Sequence, residues 1–128
     1  MVLDLQLNYA TYDSLIACVF GGFAIPMDDY SDALQTLTGW SMPPAELRSI
    51  AERAWNLTRL FNVREGFTRK DDTLPERLFT LASSRGPSKG QLVDKESFEK
   101  MLDEYYQIVG WEKVTGIPTK EKLVQLGI

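Results

Sequence analysis

Between Pro43 and Gly66 the chain reads PPAELRSIAERAWNLTRLFNVREG, with Leu47, Ile50, Ala51, Ala54, Leu57, Leu60 and Phe61 recurring at intervals of three and four residues. Residues at that spacing lie on one face of an α-helix. Pro43 and Pro44 suit a first turn, where a missing N–H leaves no hydrogen bond unmade, and Asn62, Val63 or Gly66 close the element. A helix this long with an apolar stripe along one side must bury that stripe, so the rest of the chain has to supply matching faces.

Glycine and proline divide the remainder into similar segments. A first helix is predicted over residues 9–20, with Asn8 as N-cap, a stripe of Tyr9, Tyr12, Ile16, Val19 and Phe20, and Gly21 and Gly22 as its end. A second starts after Asp28 and Asp29, whose carboxylates favour a helix N-terminus, and stops at Gly39, with Trp40 as the hydrophobic contact that follows. Residues 66–90 form a polar, turn-rich region with room for one short helix after Thr73 and Pro75 and a loose loop over residues 83–90. A further helix begins at Asp94, carries Phe98, Met101, Leu102, Tyr105 and Ile108 on one face, and ends at Gly110; the tail fits a turn and a short helix from Thr119 to Gly127. No two segments pair convincingly as strands. The expected fold is all-α, a compact helical domain of about five or six helices with one long polar loop region, and a chain of 128 residues corresponds to one domain.

Charge and cysteine usage narrow the function classes. The net charge is −4 and no basic run exceeds two residues, so the chain lacks a footprint for phosphate backbones and nucleic acid is not an expected partner. A single cysteine cannot form an internal disulfide, which favours a reducing compartment, the cytoplasm. The longest uncharged stretch, SLIACVFGGFAIPM over residues 14–27, is broken by two glycines and a proline well short of the ~20 residues that span a membrane. The first thirteen residues contain no Lys or Arg, unlike a signal peptide. The simplest account of the apolar stretch is burial against protein.

Histidine is absent, which removes the commonest general base and neutral metal ligand. No phosphate-binding loop, dinucleotide fingerprint, nucleophile elbow or paired CxxC is present. Acid pairs at Asp28 and Asp29, Asp71 and Asp72, and Glu96 and Glu99 fit helix caps and solvated faces. REGFTRKDDTLPERL, residues 64–78, interleaves both charge signs with Gly, Thr and Pro; it suits a surface turn laced by ion pairs, or a loop that contacts a ligand or another domain.

Cys18 has two readings. Amid Ile, Ala, Val and Phe it suits an inert small hydrophobe in the last turn of the first helix; alternatively it is one ligand of a metal centre, with Gly21 and Gly22 admitting something bulky close to the backbone. Asp13, five positions earlier, lies roughly 140° round a continuous helix, so the two side chains do not share a face but could flank an object beside its end. An iron–sulfur cluster typically takes four thiolates, so cluster ligation at Cys18 requires cysteines from other polypeptide.

Three stretches, DSLIACVF (residues 13–20), ERAWNLTRLFNVREGFTRKDDTLPERL (52–78) and MLDEYYQIVGWEKVTGIPTKEKLVQLGI (101–128), closely resemble the C-terminal helical domain of the tungsten-containing aldehyde ferredoxin oxidoreductases, from about residue 9 to the last. The most specific parts are the Arg-Glu-Gly-Phe-Thr-Arg-Lys-Asp-Asp stretch and the Tyr-Tyr, Gly-Trp and Gly-Ile-Pro ending. The resemblance implies that residues 1–128 are the C-terminal domain of a longer enzyme whose catalytic N-terminal and middle domains are absent. It implies that Cys18 matches the last cysteine of an Asp-x-x-Gly-Leu-Cys pattern, a ligand of a 4Fe-4S cluster beside the pterin. Asp13 matches the acid that hydrogen-bonds a pterin, and Ala17 the position whose backbone approaches it. The sequence departs from the pattern at Ile16, which replaces glycine, and at Ala17, which replaces leucine.

The implied activity is oxidation of aldehydes to carboxylic acids at a tungsten bis-pterin, with ferredoxin as electron acceptor. This chain alone is expected to be inactive, to hold neither tungsten pterin nor cluster, and to self-associate through apolar surface that its neighbouring domains would cover. A basic patch of Arg64, Arg69 and Lys70 is a candidate face for an acidic ferredoxin. The alternative is a stand-alone helical binding module that kept the fold without catalysis.

Overall fold

A computed structural model describes residues 1–128. Six α-helices form, α1 (Val2–Ser14), α2 (Met27–Thr38), α3 (Pro44–Arg64), α4 (Arg77–Thr80), α5 (Lys95–Val109) and α6 (Lys120–Leu126), with 3-10 turns at Gly21–Phe23 and Arg69–Asp71. The only strand-like pairing is an isolated bridge between Trp111 and Pro118. The all-α class expected from periodicity is therefore the class observed. No helix is long and apolar enough to cross a membrane.

The chain divides into two compact units, Met1–Phe61 with Leu123–Ile128, and Asn62–Lys122. In the first, Leu7 and Tyr12 of α1, Leu47 and Ala51 of α3 and Leu126 of α6 are buried, together with the polar Thr11, Asn56 and Arg59. Thr11 and Asn56 satisfy part of their hydrogen-bonding capacity against their own helices, donating to the carbonyls of Leu7 and Glu52 at 2.9 Å each. In the second unit the core is aromatic. Tyr106 and Trp111 are buried with ring centroids 5.6 Å apart, Tyr105 meets Trp111 edge-on at 5.9 Å, and Phe79 meets Phe98 at 5.6 Å.

Helix ends are built from left-handed residues, as the glycine punctuation suggested. Gly39, Gly66, Gly110 and Gly127 all have φ between 68° and 100°, which is open to glycine because it lacks a Cβ. After α3 the amide of Gly66 donates to Val63 and that of Phe67 to Asn62. After α5 the amides of Gly110 and Trp111 both donate to Tyr106. These bonds satisfy carbonyls that the helix would otherwise leave without donors.

Three expectations need correction. The first helix runs over Val2–Ser14 instead of residues 9–20, so Ile16, Val19 and Phe20 lie beyond it and Ile16 and Phe20 are largely exposed. Breaker logic placed its end at Gly21 and Gly22, whereas the chain turns at Ile16. On α3 the buried positions are Leu47, Ala51, Asn56 and Arg59, while Leu57 and Phe61 stand about half exposed. A stripe counted from apolar residues alone passes over buried polar ones. On α5 the inward line is Phe98, Leu102, Tyr105, Tyr106 and Val109, and Met101 and Ile108 flank it in solvent. Successive residues lie 100° apart, which puts those two roughly 85–105° from the centre of the line.

Candidate functional site

The residues singled out in the sequence converge on the end of α1. Asp13 lies in its last turn and is exposed; with Ser14 it lines a groove of about 670 Å³ that Tyr9 and Trp55 also border. At the helix end the amide of Ile16 donates to Asp13 at 3.1 Å and that of Ala17 to Tyr12 at 2.8 Å. This pair of bonds is the one glycine makes elsewhere in the chain, but the left-handed residue here is Ile16, with φ 55°. A β-branched residue in this conformation costs roughly 1–2 kcal/mol that a glycine at the same position would avoid.

Beyond the turn Ala17 is half-buried and Cys18 is exposed. An exposed thiol removes the reading of Cys18 as a buried hydrophobe, and because α1 has already ended, the 140° separation on one helix does not apply to Asp13 and Cys18. The carbonyl of Cys18 accepts from Gly21 at 2.9 Å and that of Val19 from Gly22 at 3.1 Å, forming a tight turn. The bulky neighbour expected beside the glycine pair is the chain's own Tyr12. A Cβ built on Gly22 would overlap the Tyr12 ring and lie 2.8 Å from its Oη, and the Tyr12 hydroxyl donates to the carbonyl of Gly22 at 3.4 Å.

Tyr12 is only 6% exposed and packs between Tyr9 and Tyr30, at centroid distances of 6.2 and 5.3 Å. Burial, then the neighbouring Tyr30 and Tyr9, raises its hydroxyl above the usual phenol range, so it stays protonated. Sequence reasoning placed Tyr12 on an apolar stripe and missed this bracing role; the signal was the Gly-Gly pair, read as room for a ligand.

The donor chemistry of this helix end suits one corner of a metal–sulfur site. Soft metals take thiolate ligands, and Cys18 is exposed and so open to one. Nowhere do three His, Cys, Asp or Glu side chains gather to hold a metal ion.

A second polar cluster lies in the other unit and is structural. Arg69 bonds Glu99 at 2.7 Å, Asp103 at 2.6 Å and the carbonyl of Lys113 at 2.7 Å, and its guanidinium lies 5.2 Å from the centroid of the Tyr106 ring. The hydrogen bond to Glu99 leads the contributions that raise its already high pKa. The Tyr106 hydroxyl donates to Asp72, and Asp71 accepts from the amide of Thr68 at 2.7 Å. Residues 68–72 are therefore pinned to α5. Of Arg64, Arg69 and Lys70, Arg69 is 19% exposed and bound to two carboxylates, whereas Arg64 is 72% exposed, pairing with Glu65 at 3.1 Å, and Lys70 is exposed.

A family model described as "Aldehyde ferredoxin oxidoreductase, domains 2 & 3" matches residues 1–128. Tungsten-containing aldehyde ferredoxin oxidoreductases from Pyrococcus furiosus, Pyrococcus abyssi and Thermococcus kodakarensis are 41%, 39% and 38% identical to this chain, each over 129 aligned positions. The alignments cover 100% of this chain and 21% of each relative, so the chain spans about a fifth of the length of the curated relatives it matches. With the family match extending over every residue, from the left-handed turn before Cys18 to the loop held by Arg69, the chain belongs to the aldehyde ferredoxin oxidoreductase family.

Proposed function

We propose that residues 1–128 are the C-terminal helical region of a tungstopterin, iron–sulfur enzyme that oxidises aldehydes to carboxylic acids with ferredoxin as electron acceptor. The observation that carries this reading is the family match over the whole chain, together with an exposed cysteine one turn past a helix end that bears Asp13. When bound, the tungsten pterin supplies the aldehyde chemistry and the 4Fe-4S cluster carries the electrons away.

The role of this chain is to hold and orient. The Cys18 thiolate supplies one ligand to the cluster, and its three partner thiolates come from other polypeptide, since this sequence contains a single cysteine. The Asp13 carboxylate, exposed at the end of α1, accepts hydrogen bonds from pterin N–H groups. The backbone around Ala17 lies between these two contacts and fixes their separation. The apolar residues 14–27 are covered by the neighbouring domains of the longer enzyme.

The test is assembly of this chain with the remaining domains of a family member, followed by Cys18→Ala. Loss of iron and of the cluster's visible absorbance is expected, and an undiminished cluster would rule out ligation at position 18. Purified alone, the chain should be colourless and contain no tungsten; metal retained by the isolated chain would contradict a one-corner site.

A further inference from the structure

We infer that Tyr12 and Gly22 form a clamp that holds Cys18 in place before any metal arrives, making both positioning residues for the thiolate; the inference rests on the function proposed above. One residue braces both ends of the cysteine loop. The backbone carbonyl of Tyr12 accepts from the amide of Ala17, immediately before Cys18, and its ring lies so close to Gly22, four residues after, that no Cβ fits between them. Between those anchors the two turn bonds from Gly21 and Gly22 leave the segment little freedom.

Tyr30 backs the arrangement from α2, its ring packed on Tyr12 and its hydroxyl 3.4 Å from where a Cβ on Gly21 would sit. The two glycines are not equivalent. A Cβ at Gly21 makes ordinary contacts with Tyr30 and Ile25, whereas one at Gly22 must displace a buried ring. A thiolate held in advance reduces the ordering entropy that cluster assembly would otherwise have to overcome.

The experiment compares Gly22→Ala, Tyr12→Ala, Tyr12→Phe and Gly21→Ala. Amide hydrogen exchange on the isolated chain reads the loop, and cluster absorbance after assembly with the remaining domains reads the thiolate. Gly22→Ala and Tyr12→Ala should speed exchange at Ala17 and Gly21 by at least about tenfold while the far-ultraviolet helix signal persists. Both should lower cluster content although Cys18 is intact. Tyr12→Phe keeps the ring and gives up only the 3.4 Å hydroxyl bond to Gly22, and Gly21→Ala meets no clash, so each should stay within about threefold of the parent.

Unchanged exchange in both disruptive variants overturns the clamp, as does a full cluster in a variant whose loop has loosened. The proposed function fails separately: Cys18→Ala with an intact cluster removes the ligand role while leaving the exchange measurements as they stand.

Discussion

Ile16 is where residue choice and backbone geometry conflict most openly. It adopts a left-handed conformation that every other helix end with such a residue assigns to glycine, and its side chain is 94% exposed, so no packing offsets the cost. Ile16→Gly should therefore stabilise the chain by about 1 kcal/mol, the relief of the left-handed conformation less the extra entropy glycine loses on folding. Denaturant titration should show a higher midpoint at unchanged slope; a lower midpoint would mean the side chain makes a contact that outweighs the strain. The candidate site was legible in the sequence only as a motif, Asp13 to Cys18, and the geometry of that turn was not legible. Helix-ending logic looks for glycine, and here the turn carries isoleucine, so the end was assigned to the next available pair at residues 21 and 22.

At the scale of elements, helix starts and stops were legible wherever a single side chain or a single glycine does the work. Asp94 caps α5 by accepting from the amide of Ser97 at 2.7 Å, and this bond, the first cause of its shift, holds its carboxyl below the usual range. A carboxylate with a depressed folded pKa stabilises fully above its unfolded value, near about 3.9, and loses that contribution as pH falls through the folded one. Melting temperatures of the parent and Asp94→Ala should differ at pH 6 and converge as the pH drops below 4, and a gap that persists undiminished at pH 2 would assign the effect to something other than the charge.

What joins α5 to residues 68–72 was not legible, because charges separated by 30 residues in sequence, such as Arg69 and Glu99, meet only after folding. Arg69 presents a planar fork to two carboxylates and a carbonyl at once, a geometry that a lysine ammonium cannot reproduce. Arg69→Ala is expected to cost about 2 kcal/mol, discounted because Glu99 and Asp103 are nearly half exposed, and Arg69→Lys should recover only part of it in urea unfolding. Full recovery by lysine would reduce the cluster to simple charge pairing.

For the molecule as a whole, the relevant quantity is apolar surface left without cover. Ile16, Phe20 and Phe23 are 94%, 76% and 75% exposed, and the two phenylalanine rings pack against each other at 6.2 Å as one apolar patch within five residues of Cys18 in sequence. Covering both rings is worth about 3 kcal/mol per chain, or about 6 kcal/mol when two copies meet patch to patch. Association of separate chains costs at least about 4 kcal/mol in lost translation and rotation, so this patch supports weak, concentration-dependent self-association and not a stable dimer. The same patch covered by domains of one continuous polypeptide would carry no such cost, so a surface too small for a stable dimer would suffice inside the longer enzyme proposed above; the curated relatives are roughly five times the length of this chain.

Sedimentation of the isolated chain should show a weight-average mass that rises with concentration, and Phe20→Ser with Phe23→Ser should return it to the monomer with less than about 0.5 kcal/mol change in stability, because neither ring contributes to the core. A parent chain that stays monomeric across the concentration series would show that this surface tolerates water and needs no covering domain.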